Sequence, residues 1–549
     1  GTRNVEALEL NCFKERLSPY HFTAEEFKEL RNLRYLRVDY ADLDGDFMGI
    51  FFNLRWLQWR YCPRQFSAFN IDLKNLVILD LSCNNLKDDW EGWSQIKMAK
   101  RLKVLNLSGC SGLTRTPDFS TLPALEILNL GQREKLIEIH PSIWKLKNLR
   151  VLDISRSRHS RSRHSRSRHS YYDRRPITKF PDEIGNLEKL EEIYATYCCD
   201  LHGEIPSSIG RLSSLRILKL DSTNIYSLPT SICGLSRLET LDLLCCYKLQ
   251  SLPDELPSSL TSLRVTCQSM KTFPSRLSNL INLKNLVFYY CVNLVEITRD
   301  IGKLSQLETL TLHSCNKLRT LPAEIGAISQ LKELQLHSCS NLQCILALPP
   351  SLFIIRVKDC QSLERLPDLS NLKNLSYLTL RHLDKLREIP ELRELEYLYI
   401  AGCISLKRLP DLSNLKKLQG IYIEKCKKLI EIQDFGKLEL LTELNISGCE
   451  SLERLPDVSN LGMLKYLTLY GCQKLVEIEG LGSLKSLEIL DVSCTSLERL
   501  DLSSLNNLKI LTILHCKNLT EIQGIEELRS MAGCKLIEKL PDLSNLKKL

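Results

Sequence analysis

Cysteine is the residue type with the most chemical potential in this sequence, which holds 22 cysteines in 549 residues. The adjacent pairs at 198–199 and 245–246 lack the C-x-x-C spacing and the companion histidines of a zinc or redox site. Many of the other cysteines recur at one position of a repeat: Cys315, Cys339, Cys360, Cys403, Cys426, Cys449, Cys472, Cys494 and Cys516. Neighbouring repeats would hold these side chains about 4.8 Å apart and parallel, whereas a disulfide needs two facing Cβ atoms. We therefore predict buried free thiols in a reducing compartment, without a bound metal.

Histidine is concentrated in a basic insert, where the pentapeptide of residues 156–160 is repeated at 161–165 and 166–170. Its low hydrophobicity and dense charge predict a disordered loop over 155–175, and a five-residue spacing of histidines in such a loop gives no metal geometry. Eight arginines and one aspartate place +7 of the net charge of +8 between Arg156 and Arg175. The remainder lacks the basic stripe of a nucleic-acid-binding protein. We interpret the insert as a tolerated expansion; the alternative is an electrostatic contact with an acidic partner or RNA.

Catalytic chemistry has little support in the pattern of acids and hydroxyls. Acidic residues such as Asp368 and Asp411 recur with the repeat, which assigns them to turns. No isolated group of nucleophile, base and oxyanion donors stands out, and no Gly-x4-Gly-Lys-Ser/Thr phosphate loop is present. We expect no enzyme activity, no cofactor and no small-molecule substrate.

A leucine-rich repeat supplies the elements that must position the remaining polar residues. Three consecutive copies of L-x-x-L-x-L-x-x-C begin 23 residues apart at Leu418, Leu441 and Leu464. The alternating L-x-L predicts a short strand with its leucines inward. Proline and Asp-Leu-Ser interrupt the second apolar set of each copy, which predicts irregular or 3-10 turns rather than long helices. Further copies begin at Leu33, Leu54, Leu76, Leu102, Leu125, Leu149, Leu190, Leu215, Leu238, Leu260, Leu283, Leu307, Leu331, Leu352, Leu375, Leu395, Leu487 and Leu508.

The repetition predicts an α/β repeat solenoid. The expected form is a leucine-rich-repeat horseshoe with a parallel β-sheet on its concave face and irregular or 3-10 segments on its convex face. Residues 1–30 are predicted to form a capping strand and a short helix that begins with the capping box Thr23-x-x-Glu26. The solenoid is predicted over 31–549, and the array is expected to continue past its last residue because no C-terminal cap is apparent.

The opening segment GTRNVEALEL of residues 1–10, with FKELRNLRYL at 27–36, resembles the start of the leucine-rich region of plant intracellular immune receptors. These receptors carry a Toll/interleukin-receptor-like (TIR) domain and a nucleotide-binding domain, and the cysteine-bearing repeats and Leu-Pro-Asp-Leu-Ser-Asn-Leu units are most similar to their flax-rust-resistance class. The resemblance implies a cytoplasmic domain that senses a pathogen effector protein and restrains the nucleotide-binding domain of the same receptor. The sequence has no run of about 18 apolar residues, so we expect no membrane span, and its charge distribution leads us to expect no nucleic-acid partner.

Outward strand positions are where we expect the effector to bind, because these side chains lie side by side and have no packing role. Tyrosine and arginine, which are enriched in binding hot spots, occur there. The alternative is a solvated face of mixed composition. The candidate partner-binding residues are Tyr289, Tyr290, His313, Gln335, His337, Arg356, Lys358, Arg381, His382, Tyr399, Tyr422, Glu424, Lys425 and Tyr470. A further strip near the start comprises Arg37, Tyr40, Gln58, Arg60 and Tyr61.

Two other functions also fit the repeat. Residues 201–210, LHGEIPSSIG, match the extracellular plant repeat, which favours a receptor ectodomain or a secreted inhibitor. Cysteine in place of asparagine in the other repeats argues against that interpretation. The third possibility is a generic protein-interaction scaffold.

Overall fold

The computed structural model describes residues 4–12, 20–61, 67–132, 136–156, 177–273, 276–436, 438–524 and 530–532. Within these ranges the chain is a solenoid of short parallel strands with little helix, which confirms the predicted leucine-rich-repeat solenoid. The chain divides into two compact units, Gly1–Gln268 and Ser269–Leu549. The basic insert predicted at 155–175 falls almost entirely outside the described residues.

The first unit contributes one main-sheet strand per repeat, and we call each such strand a rung. Successive rungs pair in parallel, with Leu57, Leu79 and Leu105 in register across two of the pairs. The described rungs of this unit are β1 (Ala7–Asn11), β2 (Tyr35–Asp39), β3 (Trp56–Arg60), β4 (Ile78–Asp80), β5 (Val104–Asn106), β6 (Ile127–Asn129), β7 (Val151–Asp153), β8 (Glu192–Tyr194), β9 (Ile217–Lys219), β10 (Thr240–Leu243) and β11 (Ser262–Val265).

The rungs of the second unit follow the same rule and are often longer. Each buries its leucines completely, as at Leu310 and Leu312. The described rungs are β12 (Asn285–Tyr289), β13 (Thr309–His313), β14 (Glu333–His337), β15 (Ile354–Lys358), β16 (Tyr377–Arg381), β17 (Tyr397–Ala401), β18 (Gly420–Glu424), β19 (Glu443–Ser447), β20 (Tyr466–Thr468), β21 (Ile489–Asp491), β22 (Ile510–Thr512) and β23 (Ser530–Ala532).

Short strands outside the main sheet pair in small parallel sheets. Tyr20–Thr23, Ala41–Asp46 and Ser67–Phe69 form one of three strands. The others are pairs: His202–Glu204 with Asn224–Ser227, Thr320–Leu321 with Cys344–Ile345, and Arg499–Asp501 with Glu521–Gln523.

Several described connections contain a 3-10 turn, and an α-helix occurs at Gly92–Ile96. Several turns begin after a proline in extended conformation, such as Pro206 and Pro322, because proline fixes the backbone that leads into the turn. Successive turns pack closely: a Cβ at Gly210 would lie 2.5 Å from the Ser231 carbonyl oxygen, so only glycine fits there. The described 3-10 turns are Ala24–Phe27, Pro141–Lys145, Asp182–Asn186, Ser207–Arg211, Thr230–Gly234, Leu277–Asn279, Arg299–Lys303, Ala323–Ala327 and Leu481–Ser483.

The first turns of the solenoid are covered by an aromatic cluster. The Thr23 amide donates to Glu26 Oε2 at 2.6 Å, so the capping box predicted from the sequence starts the 3-10 turn that carries Phe27. The Phe27 and Phe51 rings meet edge to face at 5.3 Å, and both are almost fully buried. Strand β1 pairs with β2 along its whole length.

The predicted ladder of buried thiols is confirmed except at one position. Every cysteine that the structure describes is free, and Cys315 through Cys472 of the predicted ladder are fully buried, as is Cys516. The prediction is wrong for Cys494, which lies one residue before the buried position. Thr495 occupies that position. The repeat from Leu487 has its cysteine seven residues on rather than eight, and Cys494 therefore adopts a left-handed backbone at a φ of 57° and is only half-buried.

Candidate functional site

The candidate site is the outward surface of rungs β12–β20 in the second unit, which we call the strand face. Burial alternates along each rung, so that in β13 Leu310 and Leu312 point into the core while Thr311 and His313 are half-buried on the surface. The rungs pair without a register shift, and equivalent outward side chains therefore form continuous columns across the sheet.

The structure places ten of the fourteen candidate residues on outward positions within the rungs. Tyr470 follows β20, and three others lie in the turn after a rung. Tyr290, His382 and Lys425 have φ values of 54°, 52° and 54°, because the chain must turn left-handed here to bring the next residue into the core. The prediction that these three are strand residues is therefore wrong, although their side chains still border the strand face.

An aromatic and imidazole cluster begins the strand face. The Tyr289 ring lies 4.6 Å from the His313 ring, and Tyr290 stacks on His313 at 5.9 Å. His337 follows with its ring 5.8 Å from that of His313, and its Nε2 is buried without a hydrogen-bond partner. Burial lowers the pKa of both histidines, so both are neutral at pH 7.

The middle of the strand face is cationic. Arg356 forms an ion pair with Glu333, which also accepts a hydrogen bond from Gln335 Nε2 at 2.8 Å. Lys358 and Arg381 occupy the same column on adjacent rungs. Among the described residues neither of these two forms an ion pair, and Arg381 is exposed.

Tyrosines occupy the next rungs in two stacked pairs. Tyr377 and Tyr397 stack at 5.2 Å with an interplanar angle of 10°, and Tyr399 and Tyr422 stack at 4.3 Å with an angle of 4°. The Tyr422 hydroxyl donates to a Glu443 carboxylate oxygen, and burial together with this bond raises its pKa. The rings support one another and form a rigid aromatic surface.

Sequence reasoning missed Tyr377 and Tyr397, which belong to this surface. Both directly precede the first leucine of the L-x-L core, a position outside the pattern used to choose candidates. The alternation of side chains extends one residue further toward the N-terminus than that pattern, and counting in steps of two from Tyr399 would have found Tyr397.

The strip near the start of the chain has a different character. Arg37 pairs with Asp39 at 2.7 Å, and Arg60 pairs with Asp80. Gln58 is buried, while Tyr40 and Tyr61 stack at 4.3 Å. The two cations are thus neutralised within the first unit, and this strip offers little free charge.

Neither metal binding nor membrane insertion is indicated by the part of the chain that the structure describes. No group of three or more His, Cys, Asp or Glu side chains there could hold a metal ion. In the same ranges, no helix is long and apolar enough to span a bilayer.

Comparison with known proteins adds the biological context. TMV resistance protein N of Nicotiana glutinosa is 30% identical over 300 residues, which are 52% of this chain and 25% of that protein. Disease resistance protein RPP4 of Arabidopsis thaliana is 26% identical over 323 residues, 46% of this chain and 27% of that protein. The chain is similar to plant disease resistance proteins. The resemblance predicted from the opening segment and the cysteine-bearing repeats is thereby confirmed at this level, while the flax-rust-resistance class stays a prediction.

The similarity to disease resistance proteins is partial, since these matches span about a quarter of the two relatives' own lengths. No protein-family model matches the chain. Among solved structures, a leucine-rich-repeat protein of Leptospira interrogans matches with a TM-score of 0.47 and 24% identity, covering 76% of this chain and 91% of that one.

Proposed function

We propose that this chain is the ligand-sensing domain of a plant disease-resistance receptor and that it binds a pathogen effector protein on the strand face. One observation carries the proposal: the stacked tyrosines lie beside cations that no residue in the described ranges neutralises. Rigid aromatic side chains and arginine are the groups that most often dominate protein–protein binding energy. The similarity to plant disease resistance proteins supplies the class of ligand.

Recognition in this proposal needs no catalytic step. The side chains that meet on the strand face offer apolar area, charge and hydrogen bonds. The His313 ring contacts Tyr289 and shares a hydrogen bond with the Ser314 hydroxyl at 3.0 Å, and Lys358 follows His337 in its column. A bound protein would be held by contacts alone.

The proposal includes restraint of the receptor's own nucleotide-binding domain and an intracellular location. Buried free thiols support a reducing compartment, where cysteines persist without pairing. In a receptor ectodomain or secreted inhibitor, the alternative favoured by residues 201–210, Asn-x-Ser/Thr sequons such as residues 445–447 would carry glycans. Asn445 of one sequon instead accepts a hydrogen bond from the Ser447 hydroxyl on the strand face, where a glycan would cover the proposed site.

The decisive experiment is a binding measurement with paired tyrosine variants. An effector found by screening a pathogen's effector collection against the chain is titrated against wild type and against the double variant Tyr399→Ala with Tyr422→Ala. Removing the stacked pair is expected to weaken binding at least about tenfold, because truncating buried aromatic anchors commonly costs more than ~1 kcal/mol each.

The matched control is the double variant Tyr226→Ala with Tyr247→Ala, two exposed tyrosines outside the main sheet. Circular dichroism checks that both double variants fold. An equal loss in the control, or unchanged affinity after removal of Tyr399 and Tyr422, would contradict the proposed face. A generic scaffold would bind no member of any effector collection.

A further inference from the structure

The cationic part of the strand face has a charge imbalance that the chain itself does not resolve. Lys358 and Arg381 lie side by side in one column of adjacent rungs, about 5 Å apart at the backbone. The other cation within rungs β12–β20, Arg356, is matched across rungs by Glu333, and just before β14 Lys332 is matched by Glu308 at 2.8 Å. Within the described ranges, Lys358 and Arg381 have no such partner.

Like charges directly opposite each other on neighbouring strands destabilise a sheet. The next residue of the column on one side is His337, which burial keeps neutral, so it neither adds to nor offsets the repulsion at neutral pH. Rungs β15 and β16 contain no acid of their own: Asp359 follows Lys358 in the turn, Glu333 of β14 pairs with Arg356, and Glu424 lies two rungs from Arg381 in the same column. A carboxylate supplied from outside would therefore remove the repulsion.

Space for such a carboxylate exists beside Arg381. The column continues to Ala401, which is buried and ends at its methyl group, and then to Glu424; along the chain, Ala401 is followed by Gly402 in the turn. Arg381 and His382 are both exposed above these small residues. The guanidinium can present its two-pronged donor edge to a carboxylate, a geometry that gives strong and directional pairing.

The distribution of charge indicates which kind of anion would bind to these cations. Within rungs β12–β20 the unmatched cations are Lys358 and Arg381, and the strand face turns acidic at Glu424 and Glu443. A nucleic acid would need cations repeated along its evenly spaced phosphates, whereas a short acidic stretch of polypeptide needs only a local pair. The neighbouring tyrosine rings are already stacked on each other and leave fewer free faces for bases.

We propose that Lys358 and Arg381 bind an acidic segment of the partner protein, with one carboxylate on each cation. This inference rests on the proposed function and adds the chemistry of the ligand: the part of the partner that meets β15 and β16 carries clustered Asp or Glu. The tyrosine pairs beside it supply the apolar part of the same interface.

The test uses fluorescently labelled octaglutamate as the probe, with octaglutamine and octalysine as charge controls, and fluorescence anisotropy as the readout. Octaglutamate is expected to bind the intact chain, and its affinity should fall as salt is raised. Replacing both cations, Lys358→Gln with Arg381→Gln, is expected to weaken binding at least about tenfold. The control double variant Lys373→Gln with Lys416→Gln removes two exposed lysines outside the rungs and should leave the affinity within about twofold.

Equal losses in the two double variants would mean nonspecific attraction and would overturn the proposal, as would octaglutamine binding as well as octaglutamate. An oligouridylate that bound more tightly than octaglutamate, and was lost in the same variant, would assign the cations to nucleic acid instead. Thermal unfolding of each variant identifies any that fail to fold; for those, Lys358→Gln and Arg381→Gln are measured singly.

The outcomes separate this inference from the proposed function. Failure of octaglutamate to bind, together with a loss of effector affinity in the tyrosine double variant, would overturn the acidic ligand alone. Octaglutamate binding as expected, with no effect of the tyrosine variant on any effector, would overturn the effector-sensing proposal and leave an anion-binding face.

Discussion

The buried position at the start of each turn shows what one residue contributes to this solenoid. Its side chain must be small and must reach the carbonyl groups that the turn leaves open. Cys472 Sγ lies 3.1 Å from the Ile446 oxygen of the preceding rung, and Thr495 Oγ1 donates to the Val492 oxygen at 2.7 Å. Asn84 meets the same need with two hydrogen bonds, to Trp59 and Leu81. The position thus favours a small side chain that can donate a hydrogen bond. Cysteine is small, is a weak donor and is also apolar.

Alkaline pH is expected to destabilise the fold through these thiols. Burial raises the pKa of Cys198, Cys246 and Cys472 to about 12, above the ordinary thiol value of 9.0. A folded-state pKa above the unfolded one stabilises the fold fully below about pH 9, and the contribution is lost as the pH rises toward about 12.

Urea unfolding at a series of pH values measures this loss. The free energy of unfolding should fall by up to about 1.4 kcal/mol per pH unit for each buried thiol. Cys472→Ala should make the fall shallower, whereas removing the exposed thiol with Cys233→Ala should not. An identical pH dependence in wild type and Cys472→Ala would refute the assignment.

Backbone strain in the turns gives a second prediction for a single residue. Lys425 has a φ of 54°, while Gly402 and Gly448 occupy the equivalent place on the neighbouring repeats with φ of 65° and 66°. Left-handed backbone costs a residue with a Cβ roughly 1–2 kcal/mol. Lys425→Gly is therefore expected to raise the free energy of unfolding by about 0.5–1 kcal/mol after the entropy cost of glycine, as measured by thermal unfolding. Gly448→Ala should lower it, and a Lys425→Gly variant less stable than wild type would contradict the argument.

At the scale of the element, several of the three-residue rungs end at an Asp or Asn directly after the first strand leucine. Asp80, Asn106, Asn129, Asp153 and Asp491 each accept, through Oδ1, the amide two residues on, at 2.8–3.0 Å. Each of these rungs is three residues long. The side chain holds an amide that would otherwise continue the strand, which is how an Asx turn ends a strand. Rungs such as β13 have threonine there and reach five residues.

Asp491→Ala is expected to destabilise the second unit by about 1 kcal/mol, because the Ser493 amide loses its acceptor. Asp491→Asn should retain most of the stability, since its amide oxygen can still accept. Thr468→Ala on the adjacent rung β20 is the matched control and should cost less. Chemical denaturation distinguishes these cases; equal effects of Asp491→Ala and Asp491→Asn would point to charge rather than to the turn.

Rungs and buried leucines could be predicted from the sequence because they follow from local periodicity. Each L-x-L marked a strand, and the leucines of that pattern are buried. The prediction for Cys494 was wrong because this cysteine stands one residue early in its repeat, while Thr495 fills the buried position. Pairings such as Arg356 with Glu333, 23 residues apart, depend on side-chain rotamers on neighbouring rungs. The sequence pattern therefore located the strand face but not which of its cations remain unmatched.

At the scale of the whole molecule, each unit is built from contacts between neighbouring rungs. Within each unit, main-sheet pairs link neighbouring described rungs, so the stability of a unit is close to a sum of its rungs and their interfaces. A substitution that destabilises one rung should also destabilise the neighbouring rungs, and this effect should decrease with distance along the array.

Leu444→Ala, in the fully buried core of β19, is expected to cost about 2–5 kcal/mol locally. Hydrogen–deuterium exchange should show faster amide exchange in β18 and β20 and unchanged exchange in β2 and β3. Uniformly faster exchange over every rung would instead show that the chain unfolds as one cooperative body.

Glycines within the 3-10 turns, where successive turns pack closely, limit which repeats can be exchanged for one another. A Cβ at Gly302 would lie 2.8 Å from the Glu324 carbonyl oxygen, much as at Gly210. Recombination that joins a glycine-bearing turn to a turn of the same spacing keeps this fit, and a chimera made at such a junction inherits a new recognition surface without a steric clash behind it. Whether shuffled repeats fold and present a new surface would thus depend on glycines in the turns, which lie outside the strand face.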